Sequence, residues 1–105
     1  MPQIGATALK ARLDAGHPIR LVDVREPCEW DICNLGGAEL IPLGTLPARL
    51  NQLDAAEEIV VYCRSGERSV HAVRLLQEAG FGKAYNLAGG ILAWSDEVDP
   101  SMPKY

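Results

Sequence analysis

The stretch VVYCRSGERSVHAVRLLQEAGF, residues 60–81, decides how the rest of the chain is read. Ile59 to Tyr62 is a short, β-branched apolar run, the pattern of a strand buried on both faces. It stops on Cys63. Arg64-Ser65-Gly66-Glu67-Arg68 follows, Ser69 opens a helix, and Ala72, Val73, Leu76 and Ala79 mark that helix's apolar face until Gly80 ends it. A thiol therefore stands where a buried strand gives way to a helix. In parallel sheets that position, the carboxyl end of a strand, is where ligands bind.

The same alternation extends in both directions. Upstream, Thr7 is placed to cap a short helix carrying Leu9 and Leu13, which Gly16 stops. Ile19 to Val24 reads as a strand, and Pro27 suits the first turn of a helix over 28–33. Gly36-Gly37 marks a turn, Glu39 to Pro42 a brief strand, and Leu46, Leu50 and Leu53 a helical stripe. Downstream, Ala84 to Leu87 is a strand, Gly89-Gly90 a turn and Ile91 to Trp94 a closing helix. The tail from Asp96 to Tyr105, with Pro100 and Pro103, is expected to be extended and on the surface. Strands alternating with helices predict an α/β domain with a mainly parallel sheet. A chain of 105 residues without repeat or linker is expected to be a single domain over 1–105.

Bulk properties narrow the function classes. Hydrophobic residues at 48% and charged residues at 23% are ordinary for a globular chain. A net charge of −4 argues against a nucleic-acid binder that works by bulk charge. No apolar run is long enough to span a membrane. MPQIGATALKARL lacks the basic-then-apolar layout of a signal peptide, so the expected location is cytoplasmic. The three cysteines, Cys28, Cys33 and Cys63, are an odd number and do not form a disulfide framework. His17 and His71 stand alone, with no zinc-ligand spacing, and are read as surface residues; no metal is expected.

Three effects converge on Cys63. Backbone N–H groups of a tight loop and a helix start share a centre and favour an anion. The helix dipole adds partial positive charge. Arg64 and Arg68 bring full charges to the entrance, where they would attract anionic donors. All three favour the thiolate, which is the nucleophilic form. Gly66 allows a backbone twist that a Cβ would resist, and the Glu67 carboxylate should point to solvent.

The chain resembles the rhodanese family of sulfurtransferases. LVDVREPCEW, GGAELIPL, IVVYCRSGERS, RLLQEAGF and NLAGGILAW carry the likeness, in family order over nearly the whole length. The resemblance implies a rhodanese-like α/β fold, with a parallel sheet of about five strands flanked by helices. It implies that Cys63 takes a sulfane sulfur as a persulfide, cradled by the amides of Arg64, Ser65, Gly66, Glu67 and Arg68. Asp23 and Arg25, in DVRE, match residues that support the site in the family, and Ser69 joins them as a supporting residue. No organic cofactor is implied.

A finer likeness, in EWDICNLGGAELIPLGTLPARL and AWSDEVDPSMPKY, is to the C-terminal rhodanese domain of ubiquitin-activating-like adenylyltransferases. It implies thiosulfate or a cysteine desulfurase persulfide as donor, and a thiol, cyanide or ubiquitin-like sulfur-carrier protein as acceptor. An adenylyltransferase is then a partner. Whether the chain is free-standing or a piece of such an enzyme stays open.

Two other functions compete. A Cys-loop phosphatase or arsenate reductase resembles His-Cys, five residues, then Arg. Here Tyr62 precedes the cysteine and four residues separate Cys63 from Arg68, a loop that fits one sulfur better than a phosphate. A non-catalytic rhodanese-like module would commonly lack the cysteine that this loop keeps. Cys28 and Cys33 are read as a half-exposed and a core residue rather than resolving thiols. Trp30 and Trp94 are read as packing residues, and Asp23 as a buried carboxylate bonded to backbone or to Arg25 rather than a general base.

Overall fold

The computed structural model describes residues 1–105. Five strands, β1 (Gln3–Ile4), β2 (Ile19–Asp23), β3 (Glu39–Leu40), β4 (Glu58–Tyr62) and β5 (Ala84–Leu87), form one sheet in the order β1-β5-β4-β2-β3. Every neighbouring pair is parallel. The register runs Asp23 against Tyr62 and Val61 against Asn86, so β4 is central and its carboxyl end lies between those of β2 and β5. The chain reverses its direction of travel across the sheet between β2 and β4, which is where such sheets open a crevice.

Four α-helices, α1 (Ala6–Asp14), α2 (Pro27–Ile32), α3 (Glu67–Glu78) and α4 (Gly90–Glu97), and a 3₁₀ segment (Leu43–Gln52) connect the strands. β4 shows why its sequence is apolar without interruption. Ile59, Val61 and Cys63 point into a core shared with Ala72, Val73 and Leu76 of α3 and with Leu46. Val60 and Tyr62 point the other way, among Ala6 and Leu9 of α1 and Ile91 and Trp94 of α4. Successive side chains alternate faces, and both faces are covered.

Several elements depart from expectation. Thr7 does not cap α1; Gly5 occupies the cap, and the Thr7 hydroxyl donates across to Glu97 Oε1 at 3.2 Å. β3 ends at Leu40 rather than Pro42. Ile41 N–H still reaches the Asp23 carbonyl at 2.8 Å, but Pro42 has no N–H with which to continue the ladder. The stripe of Leu46, Leu50 and Leu53 lies on 3₁₀ turns because Pro47 interrupts α-helical bonding; Leu46 and Leu53 are buried.

Ala79 is exposed, not part of the α3 face. Gly80 takes φ +94° and turns the chain back, so Phe81 fills that place in the core. Phe81 N–H bonds the Leu76 carbonyl at 2.9 Å and Gly80 N–H the Gln77 carbonyl at 3.1 Å, a Schellman closure.

The tail also differs. Asp96 and Glu97 are helical, and the residues after them fold back instead of running free. Ser95 Oγ donates to the Met102 carbonyl at 2.8 Å, and Arg25 Nη1 donates to the Tyr105 carbonyl at 2.8 Å. The cause lies in Arg25, which is fully buried and has more donors than one carboxylate can accept.

Candidate active site

Cys63 follows the last residue of β4, and its side chain is 1% exposed. Gly66 makes the turn at φ +102° and caps α3. A Cβ on Gly66 would come 3.3 Å from the Gly89 nitrogen, so the turn needs glycine for both conformation and space. The Gly66 N–H donates to Cys63 Sγ at 3.1 Å, and Ser69 Oγ lies 3.4 Å from the same sulfur. Burial pushes the Cys63 thiol up. The Ser69 hydroxyl and the amides of Ser69, Gly66 and Ser65 outweigh burial, and the thiol lies below its ordinary value.

The loop is held open from below by α4. Ile91 N–H donates to the Cys63 carbonyl at 2.9 Å and Leu92 N–H to the Arg64 carbonyl at 3.1 Å. These are free donors of the first turn of α4, and they tie the loop carbonyls away from the sulfur. Gly90 makes the approach at φ +62°.

The arginines of the loop have different fates. Arg64 is exposed, with its guanidinium 5.3 Å from the Tyr105 ring centroid. Arg68 is not free at the entrance. Its Nη1 and Nη2 donate to Glu29 Oε1 and Oε2 at 2.7 and 2.8 Å, a two-pronged pair between α3 and α2. Hydrogen bonding from Arg68 holds the Glu29 carboxyl well down, at about 2. Glu67 is exposed.

Asp23 and Arg25 form a fully buried ion pair. Arg25 Nη2 lies 2.7 Å from Asp23 Oδ2, and Arg25 Nη2 also donates to the Cys33 carbonyl at 2.5 Å. The Arg25 guanidinium sits 5.8 Å from the Tyr62 ring centroid. The pair thus packs on the residue that precedes Cys63.

The remaining cysteines are both free thiols. Cys33 is buried in the core of the opposite sheet face from Cys63, and Cys28 is exposed on α2. His17 and His71 are both exposed. A cavity of about 690 Å³ opens at the other edge of the sheet, where Ile19 begins β2 and Glu58 begins β4, away from Cys63.

The sequence reading missed three participants. Glu29 neutralises Arg68, Tyr105 covers Arg64, and Asn86 supports the cradle. Asn86 Nδ2 donates to the Gly66 carbonyl at 3.4 Å, and its Oδ1 accepts a short hydrogen bond from the Ser69 hydroxyl. A polar residue inside the otherwise buried β5 was the available signal for Asn86.

A parallel five-stranded α/β sheet with a cysteine loop at the end of its central strand defines the rhodanese-like class. The comparisons agree: the rhodanese-like domain model matches residues 5–97, and the chain belongs to that family. The putative sulfurtransferase YtwF of Bacillus subtilis is 38% identical over 98 residues, covering 93% of this chain and 94% of that protein. The probable adenylyltransferase/sulfurtransferase MoeZ of Mycobacterium tuberculosis is 40% identical over 99 residues, covering 92% of this chain. This chain spans only 25% of that longer protein. Among solved structures, the rhodanese-like domain protein of Staphylococcus aureus superposes with a TM-score of 0.87 at 36% identity, covering 93% of this chain and 95% of that one.

Proposed function

We propose that this chain is a sulfurtransferase that carries sulfane sulfur as a persulfide on Cys63. The observation that carries this reading is the sulfur itself: Cys63 Sγ is buried at the start of α3, with the Gly66 amide aimed at it from 3.1 Å. The Cys63 thiolate attacks the outer sulfur of thiosulfate or of a protein persulfide. The new bond joins Sγ to that sulfur, the donor's S–S bond breaks, and sulfite or a thiolate leaves with the bonding pair. The loop amides stabilise charge on the transferred sulfur, as an oxyanion hole stabilises oxygen. A second nucleophile, such as a thiol or cyanide, then attacks the outer sulfur, takes it and regenerates the thiolate. An activated carrier C-terminus is instead an acyl electrophile: the outer persulfide sulfur attacks its carbonyl, the activating group leaves, and a thiol then cleaves the S–S bond to release the thiocarboxylate, itself becoming joined to Cys63 in a mixed disulfide.

Donors of this kind include cysteine desulfurase persulfides. The names of longer relatives point to an adenylyltransferase and a sulfur-carrier protein as partners in the same pathway. The chemistry calls for no cofactor, and residues 1–105 act as a single domain in this reading.

Intact mass after incubation with thiosulfate, and separately with a small-thiol persulfide, tests the proposal. A gain of one sulfur (about 32 Da), removed by cyanide and absent in Cys63→Ser, is the expected result. No gain from either donor would overturn it.

A further inference from the structure

Both arginines of the loop are candidates for drawing in an anionic donor, yet only one has its charge available. Arg68 lies in the first turn of α3, beside the Ser69 whose hydroxyl is 3.4 Å from Cys63 Sγ, so its place in the chain suits an anion at the site. Both of its terminal nitrogens, however, are taken by the carboxylate of Glu29, at 2.7 and 2.8 Å. Glu29 is 8% exposed and is fixed from its own side as well. Its Oε1 accepts the Glu26 N–H at 3.0 Å, within the capping box of α2, whose first residue is Pro27. The carboxylate therefore cannot swing aside without breaking the start of that helix.

The charge balance at the mouth follows. Arg68 and Glu29 cancel, Arg64 stays exposed against the Tyr105 ring, and the attacking Cys63 thiolate adds a negative charge. A dianionic donor approaching the sulfur gains little from Arg68 and depends on the loop amides and Arg64. A persulfide of an uncharged thiol loses nothing by this arrangement, because it brings no charge beyond its own sulfur.

We propose that Glu29 is the residue that sets donor specificity at this site, by holding Arg68 in a two-pronged ion pair and so disfavouring dianionic donors such as thiosulfate relative to persulfides of uncharged thiols. The inference rests on the sulfurtransferase reading above. For the favoured donor, Cys63 Sγ bonds to the outer sulfur of R–S–SH, the donor's S–S bond breaks, and RS⁻ departs with the electron pair. The protein is left as Cys63–S–SH. For thiosulfate the same displacement releases sulfite, whose two negative charges must build up beside the thiolate's former position. That product charge is what a free Arg68 would have stabilised. Glu29 acts through Arg68 and is a positioning residue.

The experiment compares kcat/KM for thiosulfate and for 2-mercaptoethanol persulfide in the wild type, in Glu29→Gln and in the double variant Glu29→Gln/Arg68→Gln. The readout is the ratio of the two efficiencies, which a general loss of folded protein does not move. Glu29→Gln frees Arg68 and is expected to raise the thiosulfate-to-persulfide ratio by about tenfold at low salt, an effect that shrinks as salt rises. The double variant removes the freed cation and is expected to bring the ratio back to within about threefold of the wild type. A ratio unchanged in Glu29→Gln, or a gain that persists in the double variant, overturns the inference while leaving the sulfurtransferase reading intact. A wild type that takes sulfur from neither donor overturns that reading, and this inference with it.

Discussion

The backbone of Gly90 lies against the Cys63 carbonyl so closely that a Cβ on Gly90 would stand 2.6 Å from the Cys63 oxygen. The same Cβ would stand 2.6 Å from the Arg64 carbonyl carbon, and Gly90 has φ +62°. Space and conformation both demand glycine, and neither neighbour is a flexible side chain. Gly90→Ala should lose about 2 kcal/mol or more in urea denaturation. It should also load less sulfur per folded chain, since the loop it displaces carries Sγ.

The one proton of the Ser69 hydroxyl is contested by Asn86 Oδ1 and Cys63 Sγ, and turned toward the sulfur it lowers the Cys63 thiol. In Ser69→Ala burial is opposed by the backbone amides alone. The pH profile of iodoacetamide alkylation should move to higher pH, and alkylation at neutral pH should slow. A profile that stays in place would show that the amides suffice.

The Glu29–Arg68 pair makes stability depend on acid. Glu29 titrates at about 2 in the fold against an ordinary 4.5, so it binds its proton less readily folded than unfolded. Its contribution is complete above about pH 4.5 and is lost as pH falls toward 2. With discount for the part-exposed Arg68, the contribution is on the order of 2 kcal/mol. The stability difference between wild type and Glu29→Gln should therefore narrow across that interval in urea titrations.

Asp23 and Arg25 are both fully buried, so removing one leaves the other's charge uncompensated. Arg25→Met should cost about 3–5 kcal/mol, while Asp23→Leu/Arg25→Met should cost less than the two single changes added together. Denaturation midpoints of the four proteins decide this. Additive losses would mean that the pair is not a unit.

Cys33 faces the opposite core from Cys63, Cys28 is exposed on α2, and neither is hydrogen-bonded to Cys63 Sγ. A Cys28→Ser/Cys33→Ala variant is expected to gain one sulfur mass per chain from a persulfide donor, like the wild type. Failure to load would place one of these thiols in the reaction.

The central elements were legible because they rest on local chemistry. β4 announces itself by an apolar run without polar breaks, α3 by its spacing, and the loop by a glycine and two arginines after a cysteine. What escaped notice depends on pairings distant in sequence. Glu29 draws no notice in the sequence, and gains its role only when α2 is placed beside α3. Thr7 looks like a cap until α4 offers it Glu97. The tail reads as a surface strand until Arg25 turns out to be buried with a donor to spare. In each case the deciding partner lies far away in the sequence.

The order of the sheet also bears on how the loop around the thiol is supported. β1, at Gln3–Ile4, has β5 as its only partner, with Gln3 against Asn86, and the Cys63 carbonyl waits for an amide of α4. Contacts so far apart along the chain form late and close slowly. The bonds that brace the loop carbonyls come from Ile91 and Leu92, so they exist only once α4 has docked. A lesion that frees α4, even one far from the sulfur, would loosen the floor beneath Cys63.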